Sequence, residues 1–190
     1  MSNHFIEDQT FSNADYSQIA LPKGNYENCG FSQCNFSNSD LSSVNFADCQ
    51  FTSCNLSLSN ISKTAFQNVK FRDCKLLGLH FQNSNPFLLS LYFENCILNL
   101  SSFYKVKLRK TLFKNCTLQE ADFSEADLSA ALFDNCDLSS ATFDQTLLEK
   151  ADFRSSWNYS IDPELNRIKK ARFSLAGLPG LLAKYQIEVE

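Results

Sequence analysis

A period of five runs through almost the whole chain. At every fifth position from Phe11 to Phe81 stands a Phe, Tyr, Leu or Ile, without a gap. After a slip of two residues the rhythm resumes at Leu88 and holds to Phe153, with Leu and Phe alternating at each step. A helix repeats every ~3.6 residues and a strand every two, so neither produces this register. Self-similarity at a fixed short period marks a repeat architecture.

The position two residues before each of these centres is small or medium throughout: Ala14, Ser39, Val44, Thr64, Ala121, Ala126 and their equivalents. All eight cysteines fall in that slot. The pairs Cys29 and Cys34, and Cys49 and Cys54, invite a metal or disulfide reading. A zinc site, however, needs a few converging ligands, with about two to four residues between paired cysteines. A slot shared with Ala, Ser, Thr and Val carries no such requirement, so the cysteines read as small buried packing residues. No metal and no cofactor are expected.

Four tokens of the repeat, "ADFSE", "ADLSA", "CDLSS" and "ADFRS", resemble the A(D/N)LXX motif of the pentapeptide-repeat family. The resemblance covers residues 9–173. It implies an all-β fold, a right-handed quadrilateral β-helix, with the centre and the small residue both pointing inward. The residues independently favour four sides over three. A coil of four pentapeptides stacks Phe93, Phe113, Phe133 and Phe153 in one column and Leu98, Leu118 and Leu138 in another, whereas a three-sided coil mixes the two types. With coils ~4.8 Å apart, the repeat makes a rod on the order of 35 Å long.

Two places depart from the repeat. In "FQNSNPFLLS" the slip at residues 82–87 contains Asn85-Pro86, a turn initiator whose Pro cannot donate to a ladder, and predicts a small bulge at residues 83–87. After Phe153 the register returns at Ala171 and Phe173, so a distorted last coil carries a loop at residues 160–164. Residues 1–173 thus form the solenoid. Residues 174–190 form a cap in which Leu178, Leu181, Leu182 and Tyr185 follow helical spacing and "QIEVE" alternates like a strand. With Ile187 and Val189, these residues are the candidate homodimer interface.

This ending, with "DPELNRI" before a leucine-rich helix and a final "IEVE", resembles the gyrase-protecting branch of the family, the Qnr quinolone-resistance and microcin-immunity proteins. That narrower resemblance covers residues 87–190. It implies a C-terminal dimer that imitates B-form DNA, binds DNA gyrase or another type II topoisomerase, and protects against quinolones or a gyrase toxin. The chain lacks the long loops of many Qnr proteins.

Charge placement bears on the partner. Residues 119–153 carry nine carboxylates and Lys150 as their only base. A DNA mimic must present carboxylates where a duplex presents phosphates, and the candidates are Glu120, Asp122, Glu125, Asp127, Asp134, Asp137 and Asp144. Repeat arithmetic spreads them as a belt over all four faces, and an ordinary solvated surface is the competing reading. The bases Lys105, Lys107, Arg109, Lys110 and Lys114 lack an aromatic platform and read as a solvated face, so no direct nucleic-acid binding is expected. His4 and His80 are the only histidines, and no nucleophile–base pair or phosphate loop accompanies them. The chain therefore reads as non-enzymatic. The alternative to a gyrase binder is a structural scaffold for another protein. The opening "MSNHFIEDQT" has no signal-peptide pattern and no stretch approaches a membrane span, so a cytoplasmic location off the membrane is expected.

Overall fold

The computed structural model, which describes residues 4–188, is a right-handed quadrilateral β-helix of about seven turns. Two of its four walls are regular parallel sheets. The first wall stacks β2 (Thr10–Ser12), β4 (Gly30–Ser32), β6 (Gln50–Thr52), β8 (Val69–Arg72), β9 (Leu91–Glu94), β10 (Leu112–Lys114) and β11 (Leu132–Asp134) in that order. The fourth wall begins with β1 (His4–Glu7), β3 (Gly24–Glu27), β5 (Asn45–Ala47) and β7 (Ala65–Gln67). The second and third walls are joined by single parallel bridges such as Asn35↔Asn55 and Ser102↔Asp122.

Strands stay this short because a corner follows every centre. The residue two places after the centre takes a left-handed backbone, as at Asn38 (φ 56°), Asn115 (φ 52°) and Asn135 (φ 56°). At many corners the next amide closes the turn, as in Ser39 N to Phe36 O at 3.0 Å, whereas after Asn135 the Cys136 amide donates to Ser156 Oγ at 3.1 Å. A type II turn requires this positive φ at its third residue, and Asn tolerates it better than most side chains. The Asn side chains also bond along the rod: Asn115 donates to Asn95 at 2.9 Å, and Asn135 to Asn115 at 2.8 Å.

Alternation of Phe and Leu has a direct packing consequence. From Phe93 onward, Phe centres occupy the first and third walls and Leu centres the two between; before the break the fourth wall is aromatic instead, with Tyr26, Phe46 and Phe66. Along the first wall the rings of Phe93, Phe113 and Phe133 stack with centroids 5.1 and 4.8 Å apart. Across the core, Phe113 meets Phe103 and Phe123 edge-on, at 83° in each case. Both are favourable arrangements of the ring quadrupole.

All eight cysteines are buried and free, as the small slot requires. Among the described residues, no group of three or more His, Cys, Asp or Glu is placed to hold a metal. The slot proves to be more than small, because its occupant can donate to the carbonyl of the centre one coil below. Cys54 Sγ donates to Phe31 O (3.3 Å), Thr146 Oγ1 to Phe123 O (2.9 Å) and Ser156 Oγ to Phe133 O (2.8 Å). Burial pushes the Cys49 thiol up to about 12, so it stays protonated at neutral pH. Replacing Cys116 with Ala or Ser is expected to cost about 1–3 kcal/mol and keep the fold. A chelator is expected to leave the circular dichroism melt unchanged; stoichiometric zinc in purified protein would overturn this.

The break differs from the sequence expectation. Leu88 is not a centre: it is 62 % exposed and holds the left-handed corner conformation at φ 54°. The centre slot before it belongs to Pro86, and normal register returns with Val69↔Leu91 and Phe71↔Phe93. The two additional residues therefore enter after Leu88 and not at 83–87; a 3-10 turn at Phe81–Asn83 ends where that stretch begins.

The last coil is distorted, but its loop comes later than residue 160: Tyr159 and Ile161 turn inward, and the turn runs over residues 163–165. The terminal segment is less regular than its spacing suggests. Its α-helix is one turn long, α1 (Pro179–Leu182), flanked by 3-10 turns at Leu175–Gly177 and Ala183–Tyr185. Pro179 at the first helical position and Gln186 in a left-handed conformation (φ 51°) bound the segment. No strand forms over 186–188, and Val189 lies outside the described residues. No helix is long and apolar enough to cross a membrane among the described residues.

Candidate partner-binding surface

The acidic residues lie on all four walls, but they are not equally free. Register places Asp122 and Asp144 on the third wall, Glu120 on the corner leading to it, and Asp137 on the adjoining second wall. Asp134 lies alone on the first. Asp127, on the fourth wall, and Glu125, on the corner leading to it, meet the basic cluster of the coil below: Lys105, twenty residues earlier, pairs with Glu125 at 3.4 Å, and Arg109, eighteen earlier, pairs with Asp127. Asp127 is only 6 % exposed. Burial pushes its carboxyl up, but bonds from Ser129 and Arg109 outweigh this and hold it below the usual value. Asp127 is thus a structural ion-pair partner with little surface to offer. Lys114 is likewise taken up, by Glu94 at 2.9 Å.

Among the described residues, no Lys or Arg pairs with Glu120, Asp122, Asp134, Asp137 or Asp144, nor with Glu149. Asp137 spends both oxygens on neutral donors: Ser139 and Asn158 reach one, Gln119 the other. Asp122 accepts from the Ser124 amide at 2.9 Å and stays half-buried. The field of unneutralised charge is therefore strongest around the corner of the second and third walls. The pairing was readable in principle, because residues twenty apart stack, and Lys105 stands twenty before Glu125.

At the C-terminal end, Leu178 (42 %), Tyr185 (53 %) and Ile187 (55 %) are exposed, while Leu181 and Leu182 are half-buried, Leu181 against the core. Leu175, 87 % exposed, joins this apolar surface and escaped the helical-spacing argument because it precedes the helix. Lys184 latches the segment to the last coil through Asp162 (2.8 Å) and Glu164 (2.7 Å). Both carboxylates raise the Lys184 ammonium above its ordinary value.

The close seat of this cap depends on Gly180. A Cβ there would stand 2.2 Å from Tyr159 O, a backbone atom that cannot swing away. Gly180 O also accepts from the Ile161 amide at 3.0 Å. Gly180→Ala is expected to lift the cap from the coil end and cost about 1–3 kcal/mol. Amide exchange at Ile161 checks it; unchanged protection there would refute the contact's importance.

With this geometry in hand, comparison gives the chain its relatives. The family model described as a pentapeptide repeat region matches residues 24–86 and 88–157. No curated protein sequence matches. Among solved structures, the chain is similar to a trypsin-treated form of QnrB1, described as a plasmid-mediated fluoroquinolone resistance protein. That match has 22 % identity and a TM-score of 0.60, over 98 % of this chain and 92 % of that one. HetL, a pentapeptide-repeat protein of heterocyst differentiation regulation from the cyanobacterium Nostoc, matches at 16 % identity and a TM-score of 0.37, over 91 % of this chain and 89 % of that one. The period of five, the four stacked walls and the family match agree: the chain belongs to the pentapeptide-repeat family.

Proposed function

We propose that this protein is a non-enzymatic DNA mimic that binds DNA gyrase or a related type II topoisomerase, as a homodimer joined through its C-terminal cap, and shields the enzyme from quinolones or a gyrase toxin. The observation that carries the reading is the group of carboxylates without ionic partners about one corner of a rigid rod, close to an end with an exposed apolar surface. Joining two such ends hides Leu175, Leu178, Tyr185 and Ile187 and doubles the length of acidic rod. A groove that holds duplex DNA is basic, and a rod with fixed carboxylates meets it with complementary charge and no sequence requirement. The fold likeness to a fluoroquinolone resistance protein and the resemblance of residues 87–190 to the gyrase-protecting branch support the same partner. The cytoplasm, where gyrase works, is the location this function requires.

The test is gyrase supercoiling in the presence of purified protein, beside light scattering of the protein alone. Inhibition by a dimer supports the proposal. A protein without effect on supercoiling is a scaffold for some other partner.

A further inference from the structure

The fourth wall has a gap at the break. Below and above the gap each coil of this wall bonds to the next: Ala65 bridges Asn85, and Lys107 bridges Asp127. Among the described residues, no bridge joins Asn85 to Lys107, although the neighbouring walls are closed at the same level by Phe71↔Phe93 and His80↔Ser102. The cause lies in the break. Pro86 has no N–H to give to the coil above, and Asn83 turns its amide to His80 O (3.1 Å) within the 3-10 turn. The Leu88 and Lys107 amides and the carbonyls of Ser84, Lys107 and Arg109 consequently have no backbone partner in the described residues.

A cleft of about 610 Å³ opens at this gap, lined by Phe81, Pro86, Leu89 and Val106 and rimmed by Lys105 and Lys107. Phe81 and Val106 belong to the buried core, so the cleft reaches the packed interior. Lys105 is neutralised by Glu125, but among the described residues no carboxylate pairs with Lys107, nor with Lys63 and Lys110 on the corners below and beside it.

We propose that this gap is a binding site for an extended peptide segment of a partner protein, inserted as a strand between residues 84–88 and 105–109, with apolar side chains facing the core and acidic ones facing Lys107. Main-chain bonds to the free ladder groups supply affinity, and the alternation of a strand sends successive side chains inward and outward. The apolar lining selects the inward residues. The uncompensated lysines select carboxylates on the outward ones. This site is separate from the acidic corner, and its test involves no gyrase.

The probe is a fluorescent, end-blocked Glu-Val-Glu-Leu-Glu peptide, followed by anisotropy and by amide exchange of the full chain. Without peptide, the Leu88 and Lys107 amides are expected to exchange faster than those of Lys110 and Asp127, which have ladder partners at 3.0 and 2.9 Å. With peptide they slow. Methylating alternate backbone nitrogens of the probe, or Lys107→Glu in the protein, is expected to weaken binding by about tenfold or more. Protection of both amides in the free protein would overturn the proposal. So would equal binding of the methylated probe, or no saturation at about 1 mM peptide.

Discussion

Phe113→Ala is expected to lower stability by about 3–5 kcal/mol, a loss at the top of the range for a single side chain. Phe113 is fully buried, with its ring between Phe93 and Phe133 in one column and against the edges of Phe103 and Phe123 in the other. Truncation empties a volume that four rigid rings cannot collapse into, since each is held by its own column. The cost includes the lost transfer energy, the cavity and the ring–ring contacts. Urea denaturation followed by circular dichroism measures it. Leu132→Ala, outward on the next coil and 38 % exposed, serves as control and is expected to stay within about 0.5 kcal/mol. Because coils contact only their neighbours, the Phe113 cavity also weakens the coupling between the two halves of the rod, and the transition is expected to broaden. A loss under about 1 kcal/mol would mean the columns repack independently.

The fold was legible because each coil repeats one local instruction. Phe113 or Cys54 could be placed inward from the period alone, and the twenty-residue coil followed from like residues stacking on like. Leu88 marks where that reading stops. By type it is an ideal centre, yet Pro86 claims the centre slot two residues earlier and cannot continue the ladder, so Leu88 falls on a corner. Residue type does not betray corner positions in general: Leu58 and Leu100 hold left-handed corners too, at φ 58° and 60°. The C-terminal helix shrank to a turn because Pro179 and Gly180 leave little room for helical propagation. Its apolar spacing was real, but the seat on Tyr159 decides the conformation, and that contact crosses from one part of the chain to another. The same holds for the acidic residues. A carboxylate's number in the sequence says which wall it occupies, while its availability depends on the base one coil away.

That last point changes which charges matter. Reversing Glu120, Asp122 and Asp144 to Lys is expected to weaken inhibition of gyrase supercoiling by tenfold or more, with about 1.4 kcal/mol lost per factor of ten. These three share the third wall and its leading corner, and none has an ionic partner whose loss would confuse the result. Asp127 must be left alone. It is buried against Arg109 and Ser129, and a Lys there would strand one charge beside another and damage the fold. Asp122 does accept bonds from Ser102 and Ser124, so circular dichroism has to accompany the assay. Asp134→Lys, on the first wall, is the control for net charge: it alters the total but leaves the proposed face intact. If the corner is the contact, the triple variant loses inhibition while Asp134→Lys keeps it. Inhibition by the wild type should also fall as salt rises, over the range where the screening length shrinks below ~10 Å. Equal inhibition by wild type and triple variant would move the contact to another wall. Loss in the Asp134→Lys control as well would show that gyrase reads total charge and not a surface.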